Sequence, residues 1–377
     1  MPKHSGPSPS RHRGDQPYVV PALKEKRKRH SGPRSEEAVA RRRGKLRNKI
    51  LQKMDNDHYH VLKKYPDEFL KVGTGAPALQ ERILQRLPEA ATMPLKVAPA
   101  TGTFVVDLDD ELLKGWEEKD HSRGVLVRGD IRTRFDASAK GEVLWALWLK
   151  MIELGLDPQA LGLKNQNRSS ETEAVHIGQW HIFTPQPIFT ADTMKIYNNL
   201  TLRPYFVKFL KIIRDDIAPE VAQLTKCWCP GTWATQQKAY RYTKAILQRR
   251  NPELWELMDW KGAFFTIAIK EGVSEVLHLD WNDHPLAFTW VTAFGDYTGG
   301  HFRAPQLGFD VPLPPGHILG ALTRRLLHCG TAAEGQRLVF TFFTNHTLVN
   351  HAERYHVYKV AKVARDAAKA AKAAFNI

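Results

Sequence analysis

Between residues 260 and 344 the chain divides into eight short apolar runs, at 263–269, 275–279, 287–294, 300–304, 308–311, 317–322, 325–329 and 337–344. Runs of this length, rich in aromatic and β-branched residues and bounded by turn formers, read as strands. Gly299-Gly300 allows close backbone approach or a positive φ, and Pro314-Pro315-Gly316 is a turn. Eight strands with tight turns predict a double-stranded β-helix, or jelly roll, so the fold class is α+β.

One run carries His278-Leu279-Asp280. Alternate residues of a strand share a face, so His278 and Asp280 project together while Leu277 and Leu279 turn toward packing. The apolar segment 325–328 delivers His328 at a strand end, and Arg337 opens the last apolar run. Two imidazoles and one carboxylate are the composition of a facial triad that holds non-haem Fe(II) with open positions. Zinc accepts the same donors. A cation beside so apolar a run is costly unless paired, and a planar guanidinium suits a carboxylate. Arg337 and the strand context therefore favour Fe(II) with a 2-oxo acid. A lone His-x-Asp is ordinary polarity; the four positions together on strands point to metal chemistry.

The rest of the chain reads as support for this core. Residues 1–50 carry 15 Lys and Arg against 4 Asp and Glu, and 352–377 carry 6 against 2. The stretch between them is balanced at 34 against 34. The basic character thus lies in two appendages, which attract polyanions. The expected organisation is a disordered basic tail at 1–50, a mostly helical support region at 51–259, the jelly-roll core at 260–351 and a basic Ala/Lys-rich helix at 352–377. Clusters at 24–30 and 41–47 resemble nuclear-import signals. No apolar run reaches the ~18 residues of a membrane span, and no secretory signal is evident. Cys227, Cys229 and Cys329 give no disulfide framework, which suits a reducing compartment.

In detail, helical spacing is expected over 35–65, short helical pieces broken by proline over 66–100, and strands at 103–108 and 124–128. An amphipathic helix is expected at 140–156, a mobile loop at 164–175 and one or two helices over 190–226, with Pro204 starting or breaking one. Cys227-Trp228-Cys229-Pro230-Gly231 reads as a structural turn, since Cys-x-Cys without a second pair is a poor zinc signature. A basic helical stretch follows at 236–257. Lys359, Lys362, Arg365, Lys369 and Lys372 make one stripe on an Ala-rich helix, suited equally to phosphates and to solvent.

These motifs add up to a resemblance. His278-Leu279-Asp280-Trp281-Asn282-Asp283, Gly295-Asp296-Tyr297-Thr298-Gly299-Gly300, Pro305-Gln306-Leu307-Gly308, Pro315-Gly316, His328 and Gly335-Gln336-Arg337 resemble the fungal branch of the TET/JBP group of 2-oxoglutarate/Fe(II) dioxygenases. The likeness covers about a quarter of the chain. It implies that His278, Asp280 and His328 ligate Fe(II), that Arg337 holds the distal carboxylate of 2-oxoglutarate, and that O2 is consumed. It also implies that Asp283 contacts a flipped base, that Phe343 stacks on it, and that His346 or Asn345 hydrogen-bonds it. The Cys-rich zinc-binding insert of animal relatives is absent from this sequence. The expected activity is hydroxylation of the methyl group of 5-methylcytosine or N6-methyladenine in nucleic acid, methylated DNA first, as in DNA demethylation. A nuclear, non-membrane, monomeric enzyme is expected. The rival readings are a protein or peptide hydroxylase with the same metal centre, and a catalytically inactive nucleic-acid-binding barrel.

Overall fold

The computed structural model describes residues 58–63, 76–109, 124–130, 137–161, 174–181, 184 and 186–375, together with 38, 41 and 45. The expected disordered tail, both basic clusters and the polar loop after residue 163 fall almost wholly outside the described residues. Arg43–Ile377 forms one compact unit.

Six of the eight expected runs hold strands: β7 (Thr266–Glu271), β8 (Thr289–Phe294), β10 (Phe302–Ala304), β11 (Phe309–Val311), β12 (His317–Ala321) and β15 (Leu338–Phe343). β9 (Tyr297–Gly299), β13 (Cys329–Gly330) and β14 (Ala333–Gly335) complete the core, and β9 and β14 were not expected. The region before them is not helical alone. It supplies β1 (Tyr59–Leu62), β2 (Lys96–Val97), β3 (Phe104–Leu108), β4 (Gly124–Asp130), β5 (Val175–Trp180) and β6 (Ile188–Phe189). Nine strands form one mixed sheet in the order β1-β3-β4-β12-β8-β15-β7-β5-β6, and a smaller sheet runs β13-β10-β11-β2. Both cross the expected boundary at residue 260, so the support region and the core share their sheets.

Two local readings are corrected. Residues 59–62 are a strand, where helical spacing was expected. β1 pairs in parallel with β3, and the Tyr59 hydroxyl donates to Asp107 Oδ2 at 2.6 Å. Pairing with a distant strand outweighs a local helical pattern. The runs 275–279 and 325–329 are not full strands either. They meet at one backbone bridge, His278 to His328, and only Cys329–Gly330 continues as β13.

The helices are α1 (Ala76–Arg86), α2 (Ala137–Glu153), α3 (Pro158–Leu161), α4 (Ala191–Asn198), α5 (Arg203–Ile212), α6 (Ala218–Trp228), α7 (Pro230–Arg250), α8 (Pro252–Leu257) and α9 (His346–Phe375). Pro204 starts α5, where its missing N–H costs nothing. Pro219 lies in the first turn of α6, directly after a π-helical turn at Ile213–Ile217, because proline cannot donate back to the preceding turn. Of the expected turn at 227–231 only Cys229 lies outside a helix, as the joint between α6 and α7; Cys227 and Trp228 end α6, and Pro230 and Gly231 begin α7.

Strand alternation divides the large sheet into two environments. On β15, Leu338, Phe340 and Phe342 are buried in the main core, while Val339, Thr341 and Phe343 line a cavity. On β7, Ile267 and Ile269 enter the core, whereas Ala268 and Lys270 face the cavity. β8 and β5 repeat the pattern with Trp290 and Phe294 against Val291, and Val175 and Ile177 against His176. The core side meets the helices through a row of rings. Trp148 of α2 lies 6.5 Å from Phe209 of α5, Phe209 stacks at 5.8 Å on Phe340, and Phe340 meets Phe294 edge-on at 5.5 Å.

α9 begins at His346, earlier than the tail helix expected from residue 352. Asn345 caps it, its Oδ1 accepting from the N–H groups of Thr347 (2.8 Å) and Leu348 (3.3 Å). Leu348, Val349 and Ala352 pack with Ala239 and Tyr242 of α7 and with Phe265. From His356 through Ala371 every residue is exposed, Lys359, Lys362, Arg365 and Lys369 among them.

Phe340 is fully buried where helices and sheet meet. Phe340→Ala is expected to lower stability by about 3–5 kcal/mol, read as a reduced midpoint in urea unfolding followed by tryptophan fluorescence.

Candidate metal centre and its cavity

The two arms carrying the candidate ligands are held by backbone contacts that leave their side chains aimed inward. His278 and His328 exchange N–H···O=C bonds of 3.0 and 3.1 Å. The Asp280 N–H donates to the Thr323 carbonyl at 3.2 Å. Gln80 of α1 accepts from the Leu279 N–H and from the Trp281 indole, each at 3.2 Å. Gln306, in a 3₁₀ turn at Pro305–Leu307, ties the arm before His328 by accepting from the Leu327 N–H at 2.5 Å and donating to the Arg325 carbonyl at 3.3 Å. Leu279 and Leu327 pack behind the arms with Leu79, Ile83 and Ala90.

On the other side three donor atoms converge. His278 Nε2 lies 3.7 Å from Asp280 Oδ1, and His328 Nε2 lies 3.6 Å from Asp280 Oδ2. One ligand atom from each of the three residues lies within 4.8 Å of the others, the one such group of His, Cys, Asp or Glu among the described residues. Each imidazole donates its Nδ1–H to the carbonyl two residues earlier, His278 to Val276 at 2.7 Å and His328 to Leu326 at 2.8 Å. That fixes the tautomer and leaves both Nε2 lone pairs for a cation. Phe302 stacks on the His328 ring at 5.1 Å and orients it. Two imidazole nitrogens and a carboxylate suit a divalent transition metal with positions left open.

Arg337 lies just ahead of β15 and is 6% exposed. Its Nη1 donates to the Gly272 carbonyl at 3.1 Å and its Nη2 to the Gly300 carbonyl at 3.0 Å, and its plane lies 5.1 Å from the Tyr297 ring. Its Nε is buried without a hydrogen-bond partner, and no carboxylate pairs with it among the described residues. Burial lowers its pKa from the usual guanidinium range, with Tyr297 opposing. Gly300 makes room for it. At φ 63° a Cβ there would sit 2.9 Å from both the guanidinium carbon and Nε.

The three donor residues and Arg337 line one cavity of about 410 Å³, within the range of small-molecule sites. Asp283, Phe343 and Asn345 line it too, and His346 does not. Asp283 Oδ2 accepts from the Thr323 hydroxyl at 3.1 Å and from the Thr289 hydroxyl. Phe343 meets the His176 ring edge-on at 6.3 Å. His346 Nδ1 donates to the Asn282 carbonyl at 3.0 Å, beside its own backbone N–H on the same oxygen at 2.9 Å.

Sequence reasoning missed His176, Trp180, Lys270 and His301, which also line the cavity. For Lys270 a signal existed, a charge in phase with Ala268 on a buried run. For His176 and Trp180 there was little, because β5 follows a polar stretch and was not expected as a strand.

No protein-family model matches this chain, and no curated protein does. Among solved structures, NgTET1 in complex with 5mC DNA aligns over 72% of this chain and 90% of its own, at 13% identity and a TM-score of 0.44. At that level the chemistry of the site rests on its own geometry.

Asp280→Asn is expected to weaken Co(II) binding by roughly a hundredfold or more while the fold persists, since it removes a charged ligand where even supporting groups cost 10–100-fold. Competition against a chromophoric chelator reads this out, and unchanged affinity would disprove the grouping. Gly300→Ala is expected to cost about 1–2 kcal/mol from left-handed backbone alone, before any displacement of Arg337, and thermal unfolding measures it.

Proposed function

We propose that this chain is an Fe(II)- and 2-oxoglutarate-dependent dioxygenase on a double-stranded β-helix, hydroxylating the methyl group of a methylated base in nucleic acid. One observation carries the reading. A His–Asp–His donor set and a buried guanidinium with no carboxylate among the described residues share a single cavity. His278, Asp280 and His328 would hold the iron. Arg337 would pair with the distal carboxylate of 2-oxoglutarate, a planar cation offered to a planar anion. Bound there with O2, iron and the 2-oxo acid supply the oxidising power for a C–H bond, with succinate and CO2 released.

The chain's own residues then act by position. The Nδ1–H···O=C contacts keep both imidazoles from turning. Phe343 presents a ring for stacking. Asp283, steadied by Thr289 and Thr323, presents a carboxylate to an exocyclic amine. Asn345 commits its Oδ1 to α9 and keeps an amide N–H₂ to donate. His346, off the cavity wall, would meet the flanking backbone. A base in a duplex must leave the stack to reach such a site. The basic stretches at 1–50 and 352–377 would hold phosphates and supply nuclear import, and the enzyme would act as a monomer. No described helix is long and apolar enough to cross a membrane.

The test incubates iron-loaded protein with 2-oxoglutarate and oligonucleotides carrying 5-methylcytosine or N6-methyladenine, then identifies nucleosides by mass. Hydroxymethylated product with matching succinate is expected, and His278→Ala should abolish both. Unchanged nucleosides beside succinate formed on peptides would replace this reading with a peptide hydroxylase.

A further inference from the structure

One wall of the cavity is aromatic. His176 and Trp180 of β5 and Phe343 of β15 line it together. Strand alternation puts residues 176, 178 and 180 on one face, and the middle one is Gly178. Its φ is 148°, and a Cβ there would lie 2.3 Å from the Phe265 carbonyl oxygen, so backbone crowding demands glycine. No side chain therefore stands between the flanking rings. The His176 and Trp180 centroids are 5.8 Å apart, with their planes tilted by 33°. The same imidazole meets Phe343 at 6.3 Å, edge-on at 86°. Trp180 and Phe343 are thus joined through one ring.

The register shows which end of the cavity this is. Phe343 stands opposite Thr266 of β7, and Thr266 stands opposite Gly178 of β5. β5 and β15 are both antiparallel to β7, so they run the same way. Trp180, two residues past Gly178 and paired with Ile188 of β6, therefore lies farther along than Phe343. Arg337 is six residues before Phe343, roughly 20 Å back along an extended chain. The rings and the guanidinium mark opposite ends of the wall. Trp180 is half-buried on a strand with neighbours on both sides, so its ring is presented from fixed backbone.

We propose that Trp180 is a substrate contact, stacking on a nucleobase at the end of the cavity away from Arg337 and extending the surface that Phe343 begins. The inference rests on the nucleic-acid reading above and deepens it. An indole offers a broad flat face at little cost in side-chain freedom, and every base has a face to lay on it. His176 braces the indole from the same strand, as a positioning residue.

The experiment measures binding without turnover. Full-length protein with Mn(II) and 2-oxoglutarate under argon is titrated with a fluorescein-labelled single-stranded trinucleotide carrying a central 5-methylcytosine. An all-abasic trinucleotide of the same charge is titrated in parallel, and anisotropy gives both affinities. Trp180→Ala should weaken binding of the methylated trinucleotide by roughly fivefold or more, the effect of losing one stacked base. Trp180→Phe should restore most of that loss, and the abasic trinucleotide should bind parent and variants within about twofold of one another. Unchanged 2-oxoglutarate affinity would show that the cavity is intact in both variants. The assignment is overturned if Trp180→Ala binds the methylated trinucleotide as tightly as the parent, or if Trp180→Phe is as weak as Trp180→Ala. It is equally overturned if the abasic strand or 2-oxoglutarate loses affinity in the same measure, since that marks a structural role. If the parent protein binds the methylated trinucleotide no more tightly than the abasic one, the nucleobase reading itself fails, an outcome distinct from the failure of Trp180 alone.

Discussion

The two-residue period of the β-strand is the constraint on which this molecule depends. On β15 it sends Leu338, Phe340 and Phe342 into the helical core and Val339, Thr341 and Phe343 into the cavity. The same backbone therefore fixes the fold and furnishes the site. A slip of one residue would put Phe340 into the cavity and Thr341 among the rings of Phe209 and Phe294, so core packing enforces the register that places Arg337.

Against that wall stands a pair of arms that are barely strands. His278 and His328 share one backbone bridge, and their flanking groups bond elsewhere, to Gln80, Thr323 and Gln306. Full ladders would have consumed those groups. The cross-bonded arms let His278 and Asp280 meet His328 from a separate segment, with both imidazoles locked by their own chain's carbonyls. Support thus reaches the centre from α1, nearly two hundred residues earlier, and from the short turn at Pro305–Leu307.

Much of the candidate site was legible in the sequence, since local spacing and cost arguments suffice for it. His278-x-Asp280 is a same-face pair on any extended segment, and Arg337 stood out as a cation beside an apolar run. Asp283 and Phe343 line the cavity, whereas His346 belongs to a helix start and lies off its wall. Asn345 lines the cavity and caps that helix as well. The helix was read as beginning later, because alanine dominates only from residue 361 onward. The strand at 59–62 was masked by a helical pattern, and β5 by the polar stretch before it. Both are strands because a distant partner accepts their backbone groups, and single-chain periodicity carries no trace of a partner.

By itself the sequence determined which residues could ligate a metal and that the stretch from 260 to 344 is built largely of strands. These follow from side-chain chemistry and a two-residue period, both written along the chain. Only the tertiary structure decided that the donor atoms share one centre, that the early strands extend the same sheet, and that Lys270 and His176 face the same cavity. The reason is that strand neighbours are chosen by long-range hydrogen bonding and by the packing of the opposite face, and neither is encoded at any single position.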